Sequence, residues 1–168
     1  MNISMTPAFE DSIDVLTEMR MRFMHEFEPG HEAEDNTFAE KATRAYLTEQ
    51  FALKNYIGYI GSLDGEVICA AGLLLYRLPP VLSRTERLQG HLLSVYTKPE
   101  YRSRGLGSSM MQFIIDDARS RGIFRIYLNA TPAGEPLYRK FGFCEEHEAA
   151  LTKVIDLPEK GNDWCAGH

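Results

Sequence analysis

Basic charge is in short supply in this chain: 18 Lys and Arg stand against 24 Asp and Glu in 168 residues, a net charge of −6. A protein that works on nucleic acid usually carries a basic excess, so nucleic acid is not expected as a partner. Long apolar runs are missing too. The longest, Val67 to Tyr76, includes Gly72 and falls far short of the roughly 20 residues that cross a bilayer. The opening segment, Met1 to Pro7, has no basic and no apolar leader region, so no membrane partner and no export are expected. Cysteine is scarce, with Cys69, Cys144 and Cys165 widely spaced. An odd, unpaired set excludes a disulfide framework and a zinc ribbon, and reads as reduced thiols of a cytoplasmic protein. There is one tryptophan, Trp164, and no repeat or low-complexity stretch, which sets aside solenoids, collagen and coiled coils.

What is present suits a folded domain. Apolar residues make up 44% and charged residues 25%, ordinary values for a globular protein. The length fits one domain, expected over 1–157, with a loose polar tail over 158–168.

Periodicity divides the domain. Residues 3–8 suit a short strand. Ile13, Leu16, Met19, Phe23 and Phe27 recur at helical spacing over 11–27, and Pro29-Gly30 ends that run. A second amphipathic helix is expected over 37–53. The period then changes. Residues 55–63 and 66–77 read as strands around the hairpin signal Asp64-Gly65. A further strand over 87–97 follows the break at Leu78-Pro79-Pro80. The rest predicts a helix over 108–121, a strand over 123–128 apolar enough to be covered on both faces, a short helix over 135–141, and strands over 143–147 and 150–155. Antiparallel strands leading into a βαβ unit imply a mixed sheet flanked by helices, an α/β (α+β) domain.

The most informative segment is Val95-Tyr96-Thr97-Lys98-Pro99-Glu100-Tyr101-Arg102-Ser103-Arg104-Gly105-Leu106-Gly107-Ser108. It joins a strand to a helix. Two glycines permit positive φ and close approach of a ligand to the main chain. Unpaired N–H groups and the positive dipole end of the helix favour an anion there. Lys98, Arg102 and Arg104 make this loop basic in an acidic chain. The pattern lacks the Gly-Lys-Ser/Thr of a Walker loop and the third glycine of a dinucleotide fingerprint.

Arg102-Ser103-Arg104-Gly105-Leu106-Gly107 closely resembles the acyl-CoA pyrophosphate loop of the GNAT superfamily of N-acetyltransferases. Downstream, Pro136-Leu137-Tyr138-Arg139-Lys140-Phe141-Gly142-Phe143 resembles the Leu-Tyr-x-x-x-Gly-Phe segment of the same superfamily. The resemblance implies a single-domain fold with a mostly antiparallel sheet and a parallel, splayed strand pair at the cofactor cleft. It implies acetyl-CoA as co-substrate, no metal, and a small-molecule amine as acceptor. Homodimers, common in that family, are its implication for assembly.

Residue by residue, the resemblance implies that main-chain atoms of Val95 and Thr97 pair with the pantetheine arm. The pyrophosphate would rest on the amides of Arg102, Ser103, Arg104, Gly105, Leu106, Gly107 and Ser108. Tyr138 matches the family's proton donor to the departing CoA sulfur. Attack of an amine on the thioester expels a thiolate, which a nearby phenol can protonate. Asn129 is the one candidate for a cofactor-contacting asparagine between the last motif strand and Tyr138. A turn role for it, at the strand end, stays open.

No general base stands out. Glu26, Glu28 and Asp35 lie in the right region, and Phe27, Glu28 and His31 could border the acceptor. His25 and His31 lack the i, i+4 spacing of a zinc site. Ser94 and His91 lack the Gly-x-Ser-x-Gly elbow of a serine nucleophile. Two other functional classes stay open: an acyl-CoA-binding sensor without catalysis, and a nucleotide-binding domain of another fold.

Overall fold

The computed structural model describes residues 3–28 and 36–146. In chain order the elements are β1 (Ile3–Ala8), α1 (Ile13–Phe27), α2 (Thr37–Ala52), β2 (Tyr56–Leu63), β3 (Glu66–Arg77), β4 (Leu88–Thr97), α3 (Leu106–Ser120), β5 (Arg125–Tyr127) and α4 (Glu135–Lys140). The strands lie in the sheet in sequence order. Neighbours are antiparallel from β1 to β4, and β4 pairs with β5 in parallel.

Helices cover both faces of this sheet, which is why β2 and β3 are buried along most of their length. On one face Leu16 and Met19 of α1 and Leu47 and Phe51 of α2 pack on Tyr56, Ile60, Ala70 and Tyr96. On the other, Leu106, Met110, Met111 and Ile114 of α3 pack on Ile57, Tyr59, Ile68, Leu73 and Leu92. Tyr59 donates its hydroxyl to Asp117 at 2.8 Å, and the Arg121 guanidinium binds the same carboxylate at 2.8 Å. Burial pushes the Cys69 thiol up to about 11, so it is an inert core residue.

The β2–β3 hairpin turns on Asp64 and Gly65, both at positive φ, as its sequence signal predicts. Gly72 is required for a different reason. A Cβ there would lie 1.6 Å from the Tyr56 hydroxyl oxygen and 2.3 Å from Cζ. Gly72→Ala must push the Tyr56 ring out of its packing against Phe51. A loss of about 1–3 kcal/mol is expected, as for other overpacked cores. Chemical denaturation at constant m-value measures it.

The β3–β4 ladder contains a kink that the sequence does not announce. Ala70 pairs with Tyr96 and Gly72 with Leu93. Ala71 therefore faces two residues, Ser94 and Val95, and β4 carries a bulge. Ser94 adopts positive φ (51°) at that point, sparsely populated for a residue other than glycine. Arg20 of α1 reaches in and donates from Nη1 to Ser94 Oγ at 2.5 Å.

Three expectations need adjustment. α3 starts two residues early, at Leu106, because Gly105 at φ 80° serves as its N-cap. The strand expected over 123–128 contracts to Arg125–Tyr127 and is covered on one face: Ile126 and Leu128 meet the α3-side core, while Arg125 is exposed. Its apolar run reflected packing at either end, with Ile123 buried under α3. Residues 143–146 join no ladder of the described strands. The remaining strand expected over 150–155 and the tail over 158–168 lie outside the described residues.

Candidate active site

The site grows out of incomplete pairing between β4 and β5. Their ladder has three rungs, Gln89 with Arg125, Gly90 with Ile126 and His91 with Tyr127. β4 then continues to Thr97 with no partner on that side among the described residues, and the two strands leave a slit. The Lys98 N–H donates to Ile68 O across the β3 side at 2.9 Å. Tyr96, two residues back and paired with Ala70, faces β3 in the same way. By the alternation of an antiparallel ladder, main-chain groups of Val95 and Thr97 face the slit.

The mouth of the slit is the start of α3. Ser103 and Gly105 both lie at positive φ, 60° and 80°, which curls the loop. The first backbone bond of the helix runs from Ser109 N–H to Gly105 O, 3.0 Å. The N–H groups of Leu106, Gly107 and Ser108 are thus left without helical acceptors. No acidic residue occupies the first turn. The resulting concentration of donors and positive dipole suits phosphate oxygens.

The three loop cations are not equivalent. Lys98 binds Glu66 at 2.8 Å, and Tyr101 donates its hydroxyl to the same carboxylate at 2.8 Å. Arg102 donates Nε to Thr97 O at 2.9 Å and grips Glu26 of α1 through both terminal nitrogens at 2.6 Å. These bonds hold the Glu26 and Glu66 carboxyls below the usual carboxylate range, through Arg102 and through Lys98 with Tyr101. Glu26 is therefore a brace between α1 and the loop and is poorly suited to accept a proton near neutrality. Arg104 lies over the Tyr101 ring at 5.5 Å and makes no ion pair among the described residues. It is the loop cation left to meet an incoming anion.

Tyr138 stands on α4, half-buried beside the α3-side core. Its ring meets Phe143 edge-on at 5.9 Å and lies close enough to Gly134 that a Cβ there would be 3.2 Å away. Its hydroxyl has no hydrogen-bond partner among the described residues, and burial pushes its pKa above the ordinary phenol value. Asn129 lies just beyond β5, exposed, with its side-chain oxygen accepting the Tyr127 hydroxyl at 2.8 Å. Ser94 points to the α1 side, held by Arg20, rather than presenting a nucleophile. Glu28 and Phe27 are exposed at the end of α1. Asp35 and His31 lie outside the described residues. Among the described residues no three His, Cys, Asp or Glu side chains gather as metal ligands, and no helix is long and apolar enough to cross a membrane.

Two features escaped the sequence. The Arg20–Ser94 contact joins residues 74 apart and the Glu26–Arg102 brace residues 76 apart. No local pattern signals either.

Comparison with known proteins gives concordant matches. The model of the Acetyltransferase (GNAT) family matches residues 17–143. Glucosamine 6-phosphate N-acetyltransferase of Trypanosoma brucei brucei is 30% identical over 93 residues, 55% of this chain and 59% of that protein. Glucosamine 6-phosphate N-acetyltransferase 1 of Oryza sativa subsp. japonica is 31% identical over 111 residues, 64% of this chain and 66% of that protein. The aligned region thus spans less than two thirds of either relative. Among solved structures, a GCN5-related N-acetyltransferase from Ralstonia eutropha JMP134 superposes with a TM-score of 0.76 at 26% identity, covering 92% of this chain and 99% of that one. A protein from Clostridium acetobutylicum described as a predicted acetyltransferase, solved with acetyl-CoA, also gives 0.76, at 23% identity, covering 90% and 96%.

Proposed function

The chain belongs to the acetyltransferase (GNAT) family, and from that premise we propose that it moves the acetyl group of acetyl-CoA to the primary amine of a small molecule, by direct attack in a ternary complex. The observation that carries this reading is continuity. The open edge of β4 is followed, across the turn and loop 98–105, by the unbonded amides at the start of α3. An extended arm that ends in a diphosphate matches both parts at once: the arm adds as a strand, and the diphosphate takes the helix N-terminus.

In this reading Val95 and Thr97 bond the pantetheine amides through the main chain. The Thr97 carbonyl already accepts from Arg102, and a carbonyl oxygen has a second lone pair to offer. The amides from Ser103 to Ser108 hold the pyrophosphate, while the Arg102 N–H expected among them is donated to Pro99 O at 3.2 Å. Tyr138 protonates the sulfur as the C–S bond breaks. The curated relatives carry the name glucosamine 6-phosphate N-acetyltransferase, which makes an amino sugar phosphate the first acceptor to try.

The test is thiol release from acetyl-CoA with a panel of amines headed by glucosamine 6-phosphate, beside calorimetric titration with acetyl-CoA and ATP. Turnover with an amine supports the reading. Tight CoA binding with no turnover on any amine favours a sensor, and tighter binding of ATP than of CoA overturns the site.

One variant tests the loop cations. Arg104→Ala is expected to weaken acetyl-CoA about 3- to 10-fold, since one exposed charge-assisted contact is worth about 1 kcal/mol. The loss should shrink at high salt. Calorimetry at two ionic strengths checks both points.

A further inference from the structure

α1 carries a cation for which the described residues provide no counter-charge. Arg20 is half-buried where α1 packs on β3 and β4. Its Nη1 donates to Ser94 Oγ at 2.5 Å, which is its one hydrogen bond among the described residues. Its neighbours at helical spacing are Leu16, Thr17, Phe23 and Met24, so its own helix face offers no carboxylate. The acids of both helices are engaged elsewhere: Asp14 and Glu40 with Arg44, Glu18 with Arg22, and Glu26 with Arg102. Glu28 stands exposed at the end of α1, about 12 Å further along the helix.

The uncharged surroundings do not neutralise it either. Burial pushes the Tyr46 and Tyr56 phenols above their ordinary pKa, although the Arg20 charge pulls each down. Both stay neutral. A partly buried charge without a partner is costly. A guanidinium offers several N–H donors, and one of them is engaged here. Behind the guanidinium lies a small cavity lined by Leu16, Met19, Leu47 and Tyr56, with room for about one water. A carboxylate or phosphate does not fit there and must meet Arg20 from the slit.

The position on the slit is specific. Ser94 lies within the open stretch of β4, between the last rung at His91 and the end at Thr97. Arg20 reaches it from the α1 side, whereas Tyr138 belongs to the α3 side. The α1–α2 core takes residues of β1 to β4 and none of β5. Past Arg20, this face carries the polar ends of Tyr127 and Asn129.

We propose that Arg20 receives an anionic group of the acceptor, a carboxylate or a phosphate, and selects amines that carry one. The proposal rests on the acetyl-transfer reading above and adds to it the class of amine. Distance supports it. From phosphorus to sulfur the pantetheine arm has about thirteen bonds, the span of about four residues of extended chain. Laid along β4 from Thr97, it sets the thioester level with Leu93, next to Ser94. An amine attacking there lies within about 7 Å of the Arg20 contact, two residues of strand. That reach suits a carboxylate on the carbon that bears the amine, or a phosphate on a small ring. The cofactor does not supply this anion, because the pantetheine arm is uncharged along this stretch. A guanidinium with free donors pairs such an anion through two hydrogen bonds at once.

The experiment is steady-state kinetics of the full chain with matched amines: glucosamine 6-phosphate against glucosamine, and an α-amino acid against its amide. Absence of turnover by the parent on every amine removes the acetyl-transfer reading and this proposal with it. Given turnover, the anionic member of one pair should exceed its neutral partner in kcat/KM by about 10- to 100-fold, as for a hydrogen bond to a charged group. The pair that shows the gap tells phosphate from carboxylate. Arg20→Met should bring that ratio within about 3-fold of unity, through KM of the acceptor, with KM for acetyl-CoA held within about 2-fold. Should Arg20→Met fail to fold, dead-end inhibition of the parent decides. Glucose 6-phosphate, or the hydroxy acid that matches the amino acid, should then compete with the acceptor at least about 10-fold more tightly than its uncharged counterpart. Equal use of anionic and neutral amines by the parent overturns the proposal and leaves acetyl transfer standing. So does equal competition by charged and uncharged inhibitors, or a preference that survives Arg20→Met. An acetyl-CoA affinity that falls in step with the preference also overturns it, as the mark of a contact that only shapes β4.

Discussion

Tyr138→Phe is expected to lower kcat by about 10²- to 10³-fold while acetyl-CoA binds as it does to the parent. The substitution removes one oxygen and little else. The ring keeps its place between Gly134 and Phe143, and no partner of the hydroxyl is orphaned, because among the described residues it has none. Stability should therefore hold, which separates chemistry from folding. The missing proton matters because a thiolate, with a reference thiol pKa of about 8.5, is a poorer leaving group than a thiol. Burial keeps the Tyr138 phenol protonated well past neutrality, so the donor is loaded under all ordinary conditions. Loss of a positioned acid of this kind typically costs about 10²–10⁴-fold. The measurement is kcat at saturation of both substrates, with a pre-steady-state check that chemistry limits the rate. Full kcat in Tyr138→Phe under those conditions removes the residue from the mechanism.

Gly105→Val is expected to weaken acetyl-CoA by about 100-fold without unfolding the domain. Gly105 caps α3 at φ 80°, a conformation that a β-branched residue adopts only under strain of about 1–3 kcal/mol. Nothing lies within 4 Å of the position where its Cβ would stand, so the penalty is one of backbone conformation, not of crowding. The loop can relieve it by turning away, and that motion re-aims the amides of Leu106, Gly107 and Ser108. A strain of this size, transferred to binding, corresponds to about 5- to 150-fold. Gly107 differs. A Cβ there would meet Leu137 Cδ2 at 3.1 Å, the flexible tip of a side chain on α4, so Gly107→Ala should cost less. Titration of acetyl-CoA into both variants ranks them. Equal, parental affinities would dissociate the loop from phosphate.

Much of this architecture is legible in the chain because it is written locally. Helical periods mark α1, α2 and α3, Asp64-Gly65 marks the hairpin, and the Arg102 to Gly107 motif with the Tyr138 segment marks both ends of the proposed site. The less legible parts are those that depend on distant residues. The basic loop reads as three cations for a phosphate. In the structure Lys98 and Arg102 are taken by Glu66 and Glu26, and only the fold brings those carboxylates near. The bulge at Ser94 has no glycine to announce it, since Arg20 arrives from α1 to hold it. The strand over 123–128 shows the converse: its apolar run suggests two-sided burial, whereas Ile123 and Ile126 serve a single face.

The open stretch of β4 has a consequence for the protein before any substrate arrives. An exposed strand edge recruits whatever extended chain is at hand, and proteins normally blunt it with charge or cover. Here the blunting is partial and sits at one end, where the Arg102 side chain folds back on the Thr97 carbonyl and is anchored by Glu26. Among the described residues the remainder stays uncapped, as the proposed cofactor site requires. Acetyl-CoA in the proposed site would thus add a further member to a sheet that has five strands among the described residues. On that reading, bound acetyl-CoA also shields the open edge from pairing with a second copy of the chain.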